Sequence, residues 1–325
     1  MKNKKTMFEH VCRNMGNHMV ARGYAGINFV NSNDFADIQD FIYKWNEETV
    51  KELNTEKYCN WRMICYPIIR NQIIFVLELD CEDRKAGTNR YRFWKYDIQR
   101  RKLAESYTEI ELENEELITV VDVNDENISM LLCDDESDEF RVSSCDKEFE
   151  IGAGVTRCVA NKNGLIAVGY DREATIDNGG NAVIIYDKNG NEVYPYNDES
   201  AVACLDIYTD DTGAFWIHPE GKNVLEKLEN KTVTTFKCAM SGFDGFVISP
   251  DAKYLHLSYD VGRHRDRMYR LQLSRNTYQK PEECVFNSCG YMHYSDISTG
   301  YGYGVYRHGD CSVIIMKMNI SEKLE

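Results

Sequence analysis

Between Thr156 and Tyr196 four apolar runs alternate with polar turns: Thr156–Ala160, Gly164–Tyr170, Asn181–Asp187 and Glu192–Tyr196. Asn163-Gly164 divides the first two, and Asp187-Lys188-Asn189-Gly190-Asn191 divides the last two. Asn-Gly between apolar runs predicts a tight hairpin, because both central residues of such a turn need positive φ. Four strands joined in this way form one small antiparallel sheet. A sheet with apolar side chains on both faces has to be covered on both, so the rest of the chain must supply its neighbours.

The unit recurs. A turn followed by an apolar strand stands at Asn71-Gln72, Glu126-Asn127, Asn163-Gly164, Thr212-Gly213, Ala252-Lys253 and Thr299-Gly300. The spacing is about 45 residues, the period of a propeller blade. A shorter apolar run precedes each anchor strand: Met63–Tyr66, Ile118–Val123, Thr156–Ala160, Ala203–Tyr208, Gly245–Ser249 and Met292–Ile297. A second strand follows each: Arg90–Asp97, Asp138–Val142, Asn181–Asp187, Asn223–Leu228, Arg267–Leu273 and Ser312–Met318. Helical repeats of similar period are excluded by the Gly/Asn/Asp turns and the β-branched, tyrosine-rich strands. The expectation is an all-β fold, a six-bladed β-propeller of four-stranded antiparallel blades over residues 57–325.

Residues 1–56 read as an N-terminal extension. Ala21–Val30 has strand composition, and Phe35, Ile38, Phe41, Ile42 and Trp45 recur at the three- and four-residue steps of an amphipathic helix over 34–53, capped by Asn33 or Asp34. The sixth unit has no fourth strand before the chain ends. Residues 21–30 are expected to supply it, because a ring closed by packing alone leaves an unpaired edge.

Charge and hydropathy narrow the function classes. A net charge of −15 leaves no Lys/Arg surplus for phosphate counterion displacement, which argues against nucleic acid. The basic start Met1-Lys2-Asn3-Lys4-Lys5 is followed by no apolar segment of signal-peptide type, and no run reaches membrane-span length. The expectation is a cytoplasmic monomer that touches no membrane and binds a protein partner. Its twelve cysteines read as reduced thiols; Cys65, Cys133, Cys158 and Cys204 fall in apolar strand patterns.

In period and strand count the chain resembles β-propellers of the WD40 and kelch kind, although no Trp-Asp dipeptide ends a strand and no Gly-Gly pair recurs per unit. It looks more like uncharacterised bacterial propeller proteins whose blades carry a Gly-Tyr-Asp-x-Glu turn and a Tyr-Asp-x-x-Gly-Asn hairpin. Those residues stand here as Gly169-Tyr170-Asp171-Arg172-Glu173 and Tyr186-Asp187-Lys188-Asn189-Gly190-Asn191. The resemblance implies a fold and no activity.

Three segments joining second to third strands are long: Asp80–Asn89, Asp171–Gly180 and Asp260–Asp266. Long loops on a rigid scaffold are where binding concentrates. The candidate site is therefore Asp83, Arg84, Asp171, Arg172, Glu173, Asp177, Arg263, His264, Arg265 and Asp266. No cofactor is expected; Asp171, Glu173 and Asp177 offer hard oxygen ligands of the kind that suits Ca²⁺. A non-catalytic protein-binding module is the leading reading. The first alternative is a metal-dependent hydrolase of lactones or phosphoesters, a chemistry that some six-bladed propellers perform in their channel, using Asp122, Asp206, Asp244 and Asp296. The second is a carbohydrate- or peptide-binding surface on the tyrosine- and glycine-rich stretch Tyr291–His308. Gly-x-Ser-x-Gly and His-Glu-x-x-His motifs are absent, and His256, within an apolar strand, reads as structural.

Overall fold

Short alternating runs closed by turns pair with their sequence neighbours. The computed structural model describes residues 26–31, 61–63, 68–70, 73–80, 88–97, 102–103 and most of 108–319, leaving out 125–126, 135, 145–146, 198–201, 211, 244, 250, 261–265, 288–290, 297–300 and 309–311. Most of these residues are in strands. The helix expected over 34–53 lies outside them.

β1 (Gly26–Asn31) comes first. The first sheet contains β2 (Trp61–Met63), β3 (Ile68–Arg70), β4 (Ile73–Asp80), β5 (Thr88–Asp97), β6 (Lys102–Leu103) and β7 (Thr108–Glu113). Its inner position, expected as one strand over Met63–Tyr66, is instead two short pieces. β2 pairs with the end of β4 and β3 with its beginning. The outer position is likewise split between β6 and β7, both on β5.

The second sheet is β8 (Glu115–Asn124), β9 (Asn127–Asp134), β10 (Phe140–Ser144) and β11 (Lys147–Gly152). Asp138, expected to open the third strand, lies in the preceding turn with φ 56°. The third sheet is β12 (Val155–Ala160), β13 (Ile166–Tyr170), β14 (Asn181–Tyr186) and β15 (Glu192–Asn197), with helix α1 (Arg172–Asp177) between its middle strands. The fourth is β16 (Cys204–Thr209), β17 (Phe215–Pro219), β18 (Val224–Glu229) and β19 (Thr232–Lys237). The fifth is β20 (Gly245–Ile248), β21 (Tyr254–Asp260), β22 (Asp266–Gln272) and β23 (Glu282–Asn287). In the sixth, β24 (Tyr291–Asp296), β25 (Tyr301–His308) and β26 (Ser312–Asn319) are joined by β1, giving the order β1-β26-β25-β24. β1 runs parallel to β26, from Gly26 opposite Ser312 to Asn31 opposite Lys317.

The chain divides into two compact units, one of residues 1–113, 257–269 and 283–325 and the other of 114–256 and 270–282. In the second unit the sheets pack face to face. Val121, Leu131, Val142 and Ile151 of the second sheet meet Cys158, Ile166, Val168, Tyr170 and Ile184 of the third. On the third sheet's other face Ala167, Val183, Ile185 and Tyr196 meet Cys204, Ile207, Phe215, Ile217 and Leu228 of the fourth. Strand β13, Ile-Ala-Val-Gly-Tyr, is buried throughout because alternate residues serve two interfaces. Gly169 packs directly against Cys204 of the fourth sheet. A Cβ there would lie 2.8 Å from the Cys204 sulfur and 3.0 Å from its Cβ.

The hairpin expected at Asn163-Gly164 is wider than a two-residue turn. It spans Asn161 to Leu165, whose backbones pair at 2.9 Å, and the strand resumes only at Ile166. The Asn161 side chain replaces the missing ladder: its Oδ1 accepts from the amides of Asn163 and Leu165. Asp210 does the same for the fourth sheet, accepting from Thr212 and Ala214, and the Ser249 hydroxyl for the fifth, accepting from Lys253 and Tyr254. A short polar side chain at the same turn position holds three successive units.

Cys158, Cys204 and Cys238 are buried thiols, and Cys133 is a partly buried one. Burial pushes the thiols of Cys158 and Cys204 far above their ordinary range, so both are unreactive packing groups. Among the described residues no helix is long and apolar enough to cross a membrane.

Candidate functional site

Where the turns of the third and fourth sheets face each other, they leave a cleft of about 240 Å³. Its floor is apolar, made of Leu165, Ile185, Phe215 and Leu228, with Val193 and Tyr194 of β15 as a wall. Asn163, Thr212, Glu229, Asn230 and Lys231 form a polar, exposed rim. An apolar floor with a few polar groups at its mouth is the usual construction of a ligand site.

Rigid turns place these groups. The Asn161 amide nitrogen donates to the Gly213 carbonyl at 2.6 Å, fastening one turn to the other beneath the cleft. Asp210 accepts from the Trp216 indole at 2.8 Å through Oδ2 while its Oδ1 holds its own turn. On the opposite side, Asn230 and Lys231 join β18 to β19 with φ of 50° and 62°. A two-residue turn left-handed at both positions matches the strand twist. Asparagine tolerates that backbone; lysine costs roughly 1–2 kcal/mol more than glycine would. The chain accepts that cost and holds an ammonium at the cleft mouth.

The sequence signal for the cleft was faint. Its residues come from four strands and three turns, and the turn chemistry reads only as a hairpin marker. The long segments read as binding loops fare differently. Asp171–Gly180 contains a helix. Asp171 is its N-cap, accepting from the Ala174 amide at 2.9 Å. Gly154, at φ 65°, packs under it so closely that a Cβ would lie 2.6 Å from Ala174 Cβ. Arg172 reaches Glu220 at 3.3 Å, and Glu173 and Asp177 are exposed. With Asp171 spent on the cap, these carboxylates do not converge as the Ca²⁺ reading required. Among the described residues no group of three or more His, Cys, Asp or Glu is placed to hold a metal ion. Asp266 opens β22, while Asp83, Arg84, Arg263, His264 and Arg265 lie outside the described residues.

Of the inner-strand aspartates, Asp122 lies in β8 and Asp296 in β24, while Asp244 falls outside the described residues. Asp206 lies in β16 and accepts from Arg157 Nε of β12 at 2.7 Å and from the Ile207 amide at 2.9 Å. Burial pushes its carboxyl above the usual range, and Arg157 opposes that shift. Directly across the ladder from Asp206 stands His218, fully buried, stacked on Phe243 at 3.8 Å and 5°, with neither ring nitrogen hydrogen-bonded. Only its place in an apolar run marks this histidine as buried in the sequence. The tyrosine-rich stretch does form strands, with Tyr294 opposite Tyr303.

No protein-family model matches the chain, and no curated protein matches it in sequence. Solved structures of similar backbone exist. Virginiamycin B lyase from Staphylococcus aureus is 14% identical with a TM-score of 0.45, over 83% of this chain and 87% of that one. Hydrazine synthase from Kuenenia stuttgartiensis is 12% identical with a TM-score of 0.40, over 71% and 70%. A protein of unknown function from Bacteroides caccae is 10% identical with a TM-score of 0.42, over 70% and 94%. None of these likenesses transfers a chemistry to this chain.

Proposed function

We propose that the six sheets are the blades of a β-propeller and that the protein is a non-catalytic binding module whose partner inserts a side chain or short segment into the cleft between the third and fourth sheets. One observation supports the reading above the others. The cleft offers an aromatic wall, amide and hydroxyl groups, the Glu229 carboxylate and the Lys231 ammonium on a rigid frame, with no histidine among its lining residues. The carboxylates hold structure: Asp210 braces its turn and Trp216, Glu229 of the rim accepts from Lys227 at 3.0 Å, and Asp206 is paired with Arg157.

A peptide array probed with purified protein tests this. Recognition of a defined sequence motif that weakens at least tenfold on Tyr194→Ala supports it. Turnover of lactone or phosphoester substrates that survives Tyr194→Ala and disappears on Asp206→Asn would favour the hydrolase and overturn the binding reading.

A further inference from the structure

Among the described residues no strand pairs with the outer edge of the fourth sheet: β19, Thr-Val-Thr-Thr-Phe-Lys, pairs with β18 and ends the strand order β16-β17-β18-β19. Proteins usually blunt such edges with charge or proline. The edge strand of the third sheet carries Pro195, and that of the second carries Lys147, Glu148 and Glu150. β19 has neither device until its last residue, Lys237.

The direction of its amides follows from two bonds. Cys238 N donates inward to Asn223 O at 3.0 Å, whereas Lys237 N donates outward to Ser274 O at 2.7 Å. Backbone groups alternate along a strand, so the N–H and C=O of Val233 and Thr235 also point outward. Ser274 takes one rung of this edge. Its hydroxyl then accepts from the Asn276 and Thr277 amides and turns the chain away, leaving the next two rungs open. Cations flank them. Arg275 lies 5.7 Å from the Phe236 ring centre and Lys237 lies 5.2 Å from that of Tyr278, which is 56% exposed. Lys231, just before β19 in sequence, is exposed, as is Lys280. In a chain of net charge −15, this edge is a basic exception.

We propose that β19 receives an extended, acidic segment of a partner protein as a fifth, antiparallel or parallel strand. Main-chain rungs to Val233 and Thr235 would give affinity, and the flanking cations would select carboxylate-bearing side chains. Its rungs, Val233 and Thr235, do not line the cleft, so Tyr194→Ala leaves them intact.

The probe is a capped eight-residue peptide of alternating Glu and Val, compared with its Lys/Val counterpart by fluorescence anisotropy and amide hydrogen exchange. The Glu/Val peptide is expected to bind at least tenfold more tightly and to protect the Val233 and Thr235 amides. Val233→Pro, tolerated at an edge position whose N–H faces solvent, should abolish binding. Arg275→Glu, on an exposed loop, should weaken it tenfold without touching the ladder. Equal binding of both peptides, binding of neither, or binding that leaves the two amides unprotected overturns the proposal. So does sedimentation showing a dimer that Val233→Pro dissociates, since the edge would then be filled by a second copy of this chain.

Discussion

Arg157 Nε donates to Asp206 Oδ1 at 2.7 Å, tying the inner strand of the third sheet to that of the fourth. Each residue follows a bulge, Arg157 after Val155 and Asp206 after Cys204, so they occupy the same rung of neighbouring sheets. Removing one partner of a buried pair costs about 3–5 kcal/mol. Because the Arg157 side chain is 39% exposed, Arg157→Met is expected to lose about 1–3 kcal/mol in urea unfolding at neutral pH. The pH dependence has a definite sign. A carboxyl raised on folding contributes stability that is complete at acid pH and lost as pH rises through its folded pKa. The variant's deficit should therefore grow from about pH 4 to about pH 8. A deficit that shrinks over that range would refute the assignment.

His218 has the opposite sign. Burial lowers its pKa from 6.5 to about 4. Its contribution is present above the ordinary value and is lost as the pH falls through the folded one. His218→Leu keeps the volume and removes the titration. Between about pH 8 and pH 4 the wild type should lose about 3 kcal/mol relative to this variant. Parallel pH–stability curves for the two proteins would contradict this.

Gly169 and Cys204 should couple. Gly169→Ala brings a Cβ within 2.8 Å of the Cys204 sulfur and is expected to destabilise by about 1–3 kcal/mol. Cys204→Ala removes that sulfur, so the double variant should recover part of the loss. A double-mutant cycle by thermal melting measures the coupling, and strict additivity would show that the sheets are not in contact there.

The parallel pairing of β1 with β26 predicts that a chain starting after residue 31 melts at markedly lower temperature, because six paired residues leave the edge of the sixth sheet. Equal melting temperatures for the truncated and full-length proteins would show that the strand contributes nothing.

Much of the fold could be read from the chain because it is local. The four runs between Thr156 and Tyr196 are strands within two residues of their expected ends, since turn residues and apolar alternation are short-range signals. The split inner strand of the first sheet was not legible: two short pieces sharing one partner differ from one strand only in their pairing. Asp171 misled in the other direction. A charged stretch with glycines reads as a loop, but an aspartate able to cap and a glycine able to sit beneath it turned that stretch into helix α1.

The residues alone determined that this chain makes short antiparallel sheets and where most of them turn, because hairpin chemistry acts over a few positions. Only the tertiary structure decided which turns face each other across a cleft, that Asp206 meets Arg157, and that among the described residues β19 ends its sheet. Those are relations between segments about one repeat apart in sequence. No local preference encodes them, because they arise only when the apolar faces of neighbouring sheets are pressed together.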